Sequence, residues 1–309
     1  MFIKLRRQNS LCTHSYFKTD ITGEAEIPGA QMQILDEEGT VVYEWTSTEE
    51  LHRIDRIPAG KYTLVEVQAP AGFVLASEIE FIVEETGEVQ TVEMTDKQVI
   101  VSKKAITGED ELPGAELMVT DAAGNVVDSW VSGEEPHAVS GLTVGQTYTL
   151  TEVTAPVGYA IATSIEFTVE DNGEIQQVTM IDKRILVVKV DTSITGLAGA
   201  ELEVRDTEGN VIDAWTSDGT PHAVSGLKVG ESYVLVETKA PEGYAIASEI
   251  PFTVADDAED TEISLVNKQV LVHKTDVTGT EELEGAFREV RDAEGNVVDS
   301  WVSNGTAHA

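Results

Sequence analysis

The chain has 309 residues but only one cysteine, Cys12. That excludes an intrachain disulfide framework and leaves a Cys/His zinc cluster without a second thiolate. Basic residues are scarce: 20 Lys and Arg stand against 56 Asp and Glu, for a net charge of -36. Such an excess argues against nucleic acid and against anionic membrane surfaces as partners, and it reads as a well-solvated acidic surface. No apolar run is long enough to insert into and span a bilayer. The opening Met1-Phe2-Ile3-Lys4-Leu5-Arg6-Arg7 is basic, yet Gln8 to His14 is not the apolar core of a signal peptide. There is no Gly-x-Ser-x-Gly elbow, P-loop, His-Glu-x-x-His pair or Asp-x-Asp-x-Asp-Gly calcium loop. Neither a cofactor nor a metal is implied.

What the chain does have is a period. Lys18, Lys103, Lys189 and Lys274 are spaced by 85, 86 and 85 residues, and Trp45, Trp130, Trp215 and Trp301 by 85, 85 and 86. A fixed repeat of this length means an array of similar units, each long enough for one small core. Within the second unit the alternation of apolar and polar residues marks strands over Val99 to Lys103, Glu116 to Asp121, Val126 to Ser132 and Pro136 to Val139. It continues over Gln146 to Val153, Ser164 to Glu170 and Glu174 to Asp182. Seven short strands separated by Gly, Asn and Asp turns indicate an all-β fold of tandem seven-stranded sandwiches. The boundaries fall at residues 1–14 (a non-repeat segment), 15–97, 98–183, 184–268 and a truncated fourth repeat, 269–309. The six-residue connections read as strand rather than as Gly/Ser linker, which points to a linear rod.

Residues two apart on a strand share a face, so Tyr148, Leu150 and Glu152 point the same way. Glu66 and Glu237 recur in the same setting. Burying a carboxylate costs several kcal/mol unless it is paired or protonated, so these glutamates need partners. Phase supplies them: Lys103 follows Val99 and Val101 on the first strand of its unit, and Asp182 follows Val178 and Met180 on the last. Lys18 with Asp96, and Lys189 with Asn267, repeat the arrangement. The lysine-to-glutamate spacing is 48, 49 and 48 residues, and glutamate to the last member is 30 each time.

Two readings of this triad compete. One is a buried ion pair that fixes register. In the other, desolvation lowers the lysine and raises the carboxyl until a neutral amine meets a protonated acid. The two then condense to an amide while the glutamate moves the protons. Chemistry alone favours the ion pair, because most buried triads do not react.

Further motifs carry a resemblance. Lys-x-Asp at Lys18, Lys189 and Lys274, Pro-Gly-Ala-Glu-Leu at Pro113, Trp-x-Ser at Trp130 and Trp215, and Glu-x-x-Ala-Pro-x-Gly-Tyr at Glu152 and Glu237 recur in order. Over residues 15 to 309 the chain resembles the collagen-adhesin B-type domains, also called SpaA-like or prealbumin-like, of Gram-positive surface proteins. The resemblance implies a transthyretin-like or immunoglobulin-like sandwich closed by a self-formed isopeptide bond between first and last strands. The family's lysine falls on Lys18, Lys103 and Lys189, its catalytic glutamate on Glu66, Glu152 and Glu237, and its acceptor on Asp96, Asp182 and Asn267. It implies a stalk attached to the cell wall, outside the cell, with a host matrix or surface ligand gripped by a part of the protein beyond this chain.

Some positions depart from the pattern. Lys103 is followed by Lys104-Ala105, the strand leading to Lys18 is poorly apolar, and Arg288 stands where Leu117 and Leu202 do. The fourth repeat ends before its glutamate and acceptor, which reads as a fragment of a longer surface protein. His137, His222 and His308 recur before Ala as a structural element, and the repeated tryptophan is expected in the core. A ligand-binding module is the rival function, although near-identical units favour a stalk. A pilin-like subunit is the third, and no Tyr-Pro-Lys-type donor motif is present. An enzyme acting on an external substrate ranks last, since the triad is consumed in one turnover.

Overall fold

The computed structural model describes residues 11–86 and 88–309, and among them every regular element is a strand. They form two compact units. The first runs up to Pro156 and includes Ile161–Asp182; the second holds Val157–Ala160 and Lys183–Ala309.

The first unit contains two sandwiches. In the first, β1 (Leu11–Asp20), β4 (His52–Pro58) and β7 (Gln90–Asp96) make a three-stranded sheet in the order β4-β1-β7. The facing sheet orders β3 (Val41–Thr46), β2 (Gln31–Leu35), β5 (Gly60–Gln68) and β6 (Ile79–Val83) as β3-β2-β5-β6. The next sandwich repeats the plan. Its three-stranded sheet is β11 (His137–Ala138), β8 (Val99–Ala105) and β14 (Gln176–Asp182). Its other sheet is β10 (Val126–Val131), β9 (Glu116–Asp121), β12 (Thr147–Thr154) and β13 (Ile165–Thr168). All seven expected segments are present. The one over Pro136 to Val139 shrinks to two residues, since proline has no N–H to give a ladder. β1 begins at Leu11, so residues 11–14, read from sequence as non-repeat, belong to the first strand. Cys12 and His14 are buried there opposite Ile57 and Ile54 of β4. Residues 1–10 of that segment lie outside the described residues.

In the second unit, β15 (Ile185–Asp191) lies between β18 (His222–Ala223) and β22 (Thr261–Gln269), with β20 (Tyr244–Ala245) at the far edge. β17 (Val211–Asp218), β16 (Ala198–Asp206), β19 (Ser232–Lys239) and β21 (Ile250–Thr253) form the opposing sheet. β23 (Glu284–Arg291) and β24 (Val297–Asn304) pair as a hairpin. Its Arg288 is exposed where Leu202 is buried, and Phe287, Val298 and Val302 are exposed too.

The cores lie between the sheets. Leu117, Val119, Leu150 and Met180 fill the second sandwich, and Leu202, Val204, Leu235 and Leu265 the third. Each fully buried aliphatic side chain contributes about 1.5–3 kcal/mol. The tryptophans are not at the centre, contrary to the sequence expectation. Trp130 and Trp215 are half-buried against the core edge, stacked on His137 and His222 with ring centroids 4.1 Å apart. The tryptophans stand on β10 and β17, the edge strands of their sheets, so the indole reaches only the rim of the core, where the histidine stacks on it.

One pairing positions everything that follows. First and last strands run parallel: β1 beside β7, β8 beside β14 and β15 beside β22. Among the described residues the other ladders are antiparallel.

Candidate functional site

The parallel register puts Lys18 opposite Met94, Lys103 opposite Met180 and Lys189 opposite Leu265. Two residues further along the last strand, on the same face, come Asp96, Asp182 and Asn267. Each acceptor is thus the diagonal neighbour of its lysine. Across the core, β5, β12 and β19 bring in Glu66, Glu152 and Glu237. All nine side chains are buried, between 1% and 4% exposed, in the positions the alternation assigned.

Within each sandwich the three groups touch. Lys18 Nζ contacts Asp96 Oδ1 and lies 2.9 Å from Glu66 Oε1. Lys103 Nζ contacts Asp182 Oδ1 and lies 3.0 Å from Glu152 Oε1. The third site is arranged differently. Lys189 Nζ donates to Asn267 Oδ1 at 2.5 Å and to the Leu265 carbonyl at 3.2 Å, while Glu237 Oε1 is 3.6 Å from Nζ and instead accepts from Asn267 Nδ2 at 2.9 Å.

The second oxygen of each glutamate is held by the loop that follows its strand. Ala76, Ala162 and Ala247 donate their backbone N–H to Glu66, Glu152 and Glu237 Oε2 at 2.7, 2.7 and 2.6 Å. This leaves Oε1 of Glu66 and Glu152 to face the amine, and Oε1 of Glu237 to accept from Asn267. Burial pushes the Asp96 and Asp182 carboxyls up to about 7, against the pull of the adjacent lysine and with a further push from the glutamate carboxylate. No hydrogen-bond donor reaches Oδ2 of either aspartate. Burial also lowers Lys189, with Glu237 opposing it. An amine, a carboxyl inclined to hold a proton and a second carboxylate beside the amine are the parts a condensation needs.

Sequence reasoning missed a second glutamate. Lys18 and Lys103 donate their own backbone N–H to Glu26 Oε2 at 2.9 Å and Glu111 Oε2 at 2.8 Å, and Lys274 does the same with Glu282 at 3.0 Å. The signal was there, a Glu eight residues after each of these lysines, but its target is main chain and no side-chain pattern announces it. The third repeat is one residue shorter in this loop and has Gly196 in its place, bridged to Val190.

No curated protein matches the chain. Among solved structures it is similar to the Bacillus anthracis TIE protein, 23% identical over 84% of this chain and 51% of that one, with a TM-score of 0.25. It is also similar to a streptococcal ancillary pilin, 18% identical over 84% and 99% of the two chains, TM-score 0.29. The pilus adhesin SpaC from Lactobacillus rhamnosus GG is 16% identical over 84% and 44%, TM-score 0.33. The chain therefore spans about half the length of the Bacillus anthracis protein. The model of the SpaA prealbumin-like fold domain matches residues 13–98, 97–184 and 183–269, one match on each sandwich, and the chain belongs to that family.

Proposed function

We propose that this chain is part of the stalk of an adhesin on the outer, cell-wall-attached surface of a Gram-positive bacterium, and that each complete repeat closes itself with an amide. Lys18 joins Asp96, Lys103 joins Asp182 and Lys189 joins Asn267. The observation that carries this is the meeting of amine, acceptor and glutamate, all buried, in three successive sandwiches. Uncompensated, so many buried charges would be costly; condensation removes two of them in each aspartate site.

The lysine nitrogen, once neutral, attacks the side-chain carbonyl carbon of its acceptor. The aspartate reacts as the protonated acid, and the new C–N bond forms as the C–O bond to its Oδ2–H breaks. The glutamate takes the proton released from nitrogen and passes it to the departing oxygen, so water leaves and the glutamate ends as it began. With Asn267 the C–Nδ2 bond breaks and ammonia leaves; Glu237 already accepts a hydrogen bond from that nitrogen. The reaction occurs once per repeat.

A bond between first and last strands routes a pulling force through covalent linkage and spares the residues between. By the loop-entropy relation for disulfides, closing about 80 residues adds roughly 4.5 kcal/mol per repeat. Adhesion itself belongs, in this reading, to a part of the protein outside these repeats.

Intact mass spectrometry tests the proposal. Loss of two waters and one ammonia makes the chain about 53 Da lighter than its sequence, and Glu152→Gln should restore about 18 Da of that without touching the other repeats. A mass equal to the unmodified sequence leaves only the ion pair and defeats the proposal.

A further inference from the structure

The loop that follows each glutamate strand carries a glycine in Ala-Pro-x-Gly: Gly72, Gly158 and Gly243. All three have positive φ, +81°, +84° and +80°. Each also lies against an alanine from the following repeat. A Cβ on Gly72 would sit 3.2 Å from that of Ala138, one on Gly158 3.1 Å from Ala223, and one on Gly243 3.1 Å from Ala309. These alanines are the ones that follow the repeated histidine.

Two residues beyond the alanine stands a serine. Gly72 N–H donates to Ser140 Oγ at 2.8 Å, and Gly158 N–H to Ser225 Oγ at 2.9 Å. Each serine is itself held, its N–H donating to Asp128 Oδ2 or Asp213 Oδ2 at 2.9 Å. The same carboxylate oxygen meets His137 or His222 Nε2 at 3.0 Å, and that ring stacks on the repeated tryptophan. Around the first joint, Leu75 N–H also donates to the Leu142 carbonyl at 2.9 Å, and Gln98 Nε2 to the Gly72 carbonyl at 3.2 Å.

We propose that His-Ala-Val-Ser is a socket whose ligand is the Ala-Pro-x-Gly loop of another sandwich, so that repeats recognise one another head to tail. Alanine leaves room for a backbone to approach, glycine supplies a backbone with no side chain and the turn it needs, and serine reads the loop N–H. Tryptophan, histidine and aspartate hold the serine in place. Loop and socket are different surfaces, as a heterologous joint requires.

The first repeat shows the specificity. It carries the loop but not the socket: Arg53 stands for Ala138, Asp55 for Ser140 and Tyr43 for Asp128. Asp55 Oδ1 is occupied by Thr13 Oγ1 and Arg53 Nε. That face therefore does not accept an Ala-Pro-x-Gly loop.

Hydrogen exchange of the full chain, followed by mass spectrometry, tests this. Ser140→Ala removes the acceptor, and Ala138→Leu fills the socket without demanding a new backbone conformation. Each should raise exchange over residues 70–76 about ten-fold, the scale of one lost hydrogen bond and its neighbours. Exchange in β5, β8, β12 and β14 should stay as it was, and each variant should keep the same mass deficit relative to its own sequence. Ser225→Ala should produce the same local effect over 157–160 instead. No change over 70–76 with either variant, a change with only one, or a rise spreading through β8, β12 and β14 overturns the proposal.

Discussion

Lys103 is fixed at both ends, its amine by Asp182 and Glu152 and its main chain by Glu111. The second restraint holds the strand that carries the proposed nucleophile, and small displacements of a reacting group cost rate. Glu111→Ala should therefore slow closure of the second repeat several-fold in a refolding time course read by mass, while Glu111→Gln, which keeps an acceptor oxygen, should close at nearly the original rate. Equal rates for all three proteins would show that Glu111 has no positioning role. Two other residues sit in backbone conformations made for glycine. Ile194 has φ +64° where Gly23 and Gly279 have +67° and +73°, and Arg56 has φ +71° where Gly141 and Gly226 have +74° and +77°. A β-branched residue in the left-handed region is strained by about 1–2 kcal/mol, and Ile194 is 83% exposed, so little packing offsets it. Ile194→Gly should stabilise the third repeat by about 1 kcal/mol, visible as slower native-state exchange in β15 and β22. Unchanged or faster exchange would contradict the strain argument.

At the level of elements, the Trp-x-Ser and Pro-Gly-Ala motifs prove to be one device. The serine just after β10, Ser132, accepts from Ala115 N–H at 2.9 Å and donates to the Leu112 carbonyl at 2.6 Å, tying the turn before β9 to the neighbouring strand. Ser47 does the same for Ala30 and Ile27, and Ser217 and Ser303 accept from Ala200 and Ala286. Ser132→Ala leaves the buried Ala115 N–H unsatisfied, at a cost of about 1–3 kcal/mol. A denaturation midpoint for the second repeat within error of the original would refute it. The β9–β10 turn depends on charge in the same local way. Asp121 accepts from the side chain and N–H of Asn125, which holds its carboxyl below the usual range. Its folded pKa is depressed, so its stabilisation is present above the ordinary carboxylate value and lost as pH falls through the lowered one.

For the whole molecule the triads act in the opposite sense. In any copy that has not closed, Asp96 and Asp182 have carboxyls raised from 3.8 to about 7. A raised folded pKa gives stability that is complete below the unfolded value and lost as pH climbs through the folded one. Unclosed copies should therefore lose stability in the first two repeats between about pH 4 and pH 7, and closed copies, with nothing left to titrate there, should not. The two populations differ by about 18 Da per bond, so hydrogen exchange resolved by intact mass can follow both in one sample. A parallel loss in closed and unclosed species would show that the titration lies elsewhere.

Alternation along single strands was enough to place all nine triad residues on inward faces, because side-chain direction in a strand follows from the local backbone alone. The period of 85 residues exposed the array for the same reason: it is written in order along the chain. What could not be read that way depends on segments far apart in sequence. Parallel pairing of first and last strands brings Lys18 to Asp96, 78 residues away, and that register is set by how two sheets pack, not by either strand. The amide donors that pin each glutamate, the capture of the lysine main chain by Glu26 and Glu111, and the stacking of histidine on a half-buried tryptophan all involve main-chain groups or crowding across the fold. A hydrogen bond to the backbone carries no side-chain pattern, and whether the tryptophan strand lies at the edge of its sheet is decided only once the strands have paired.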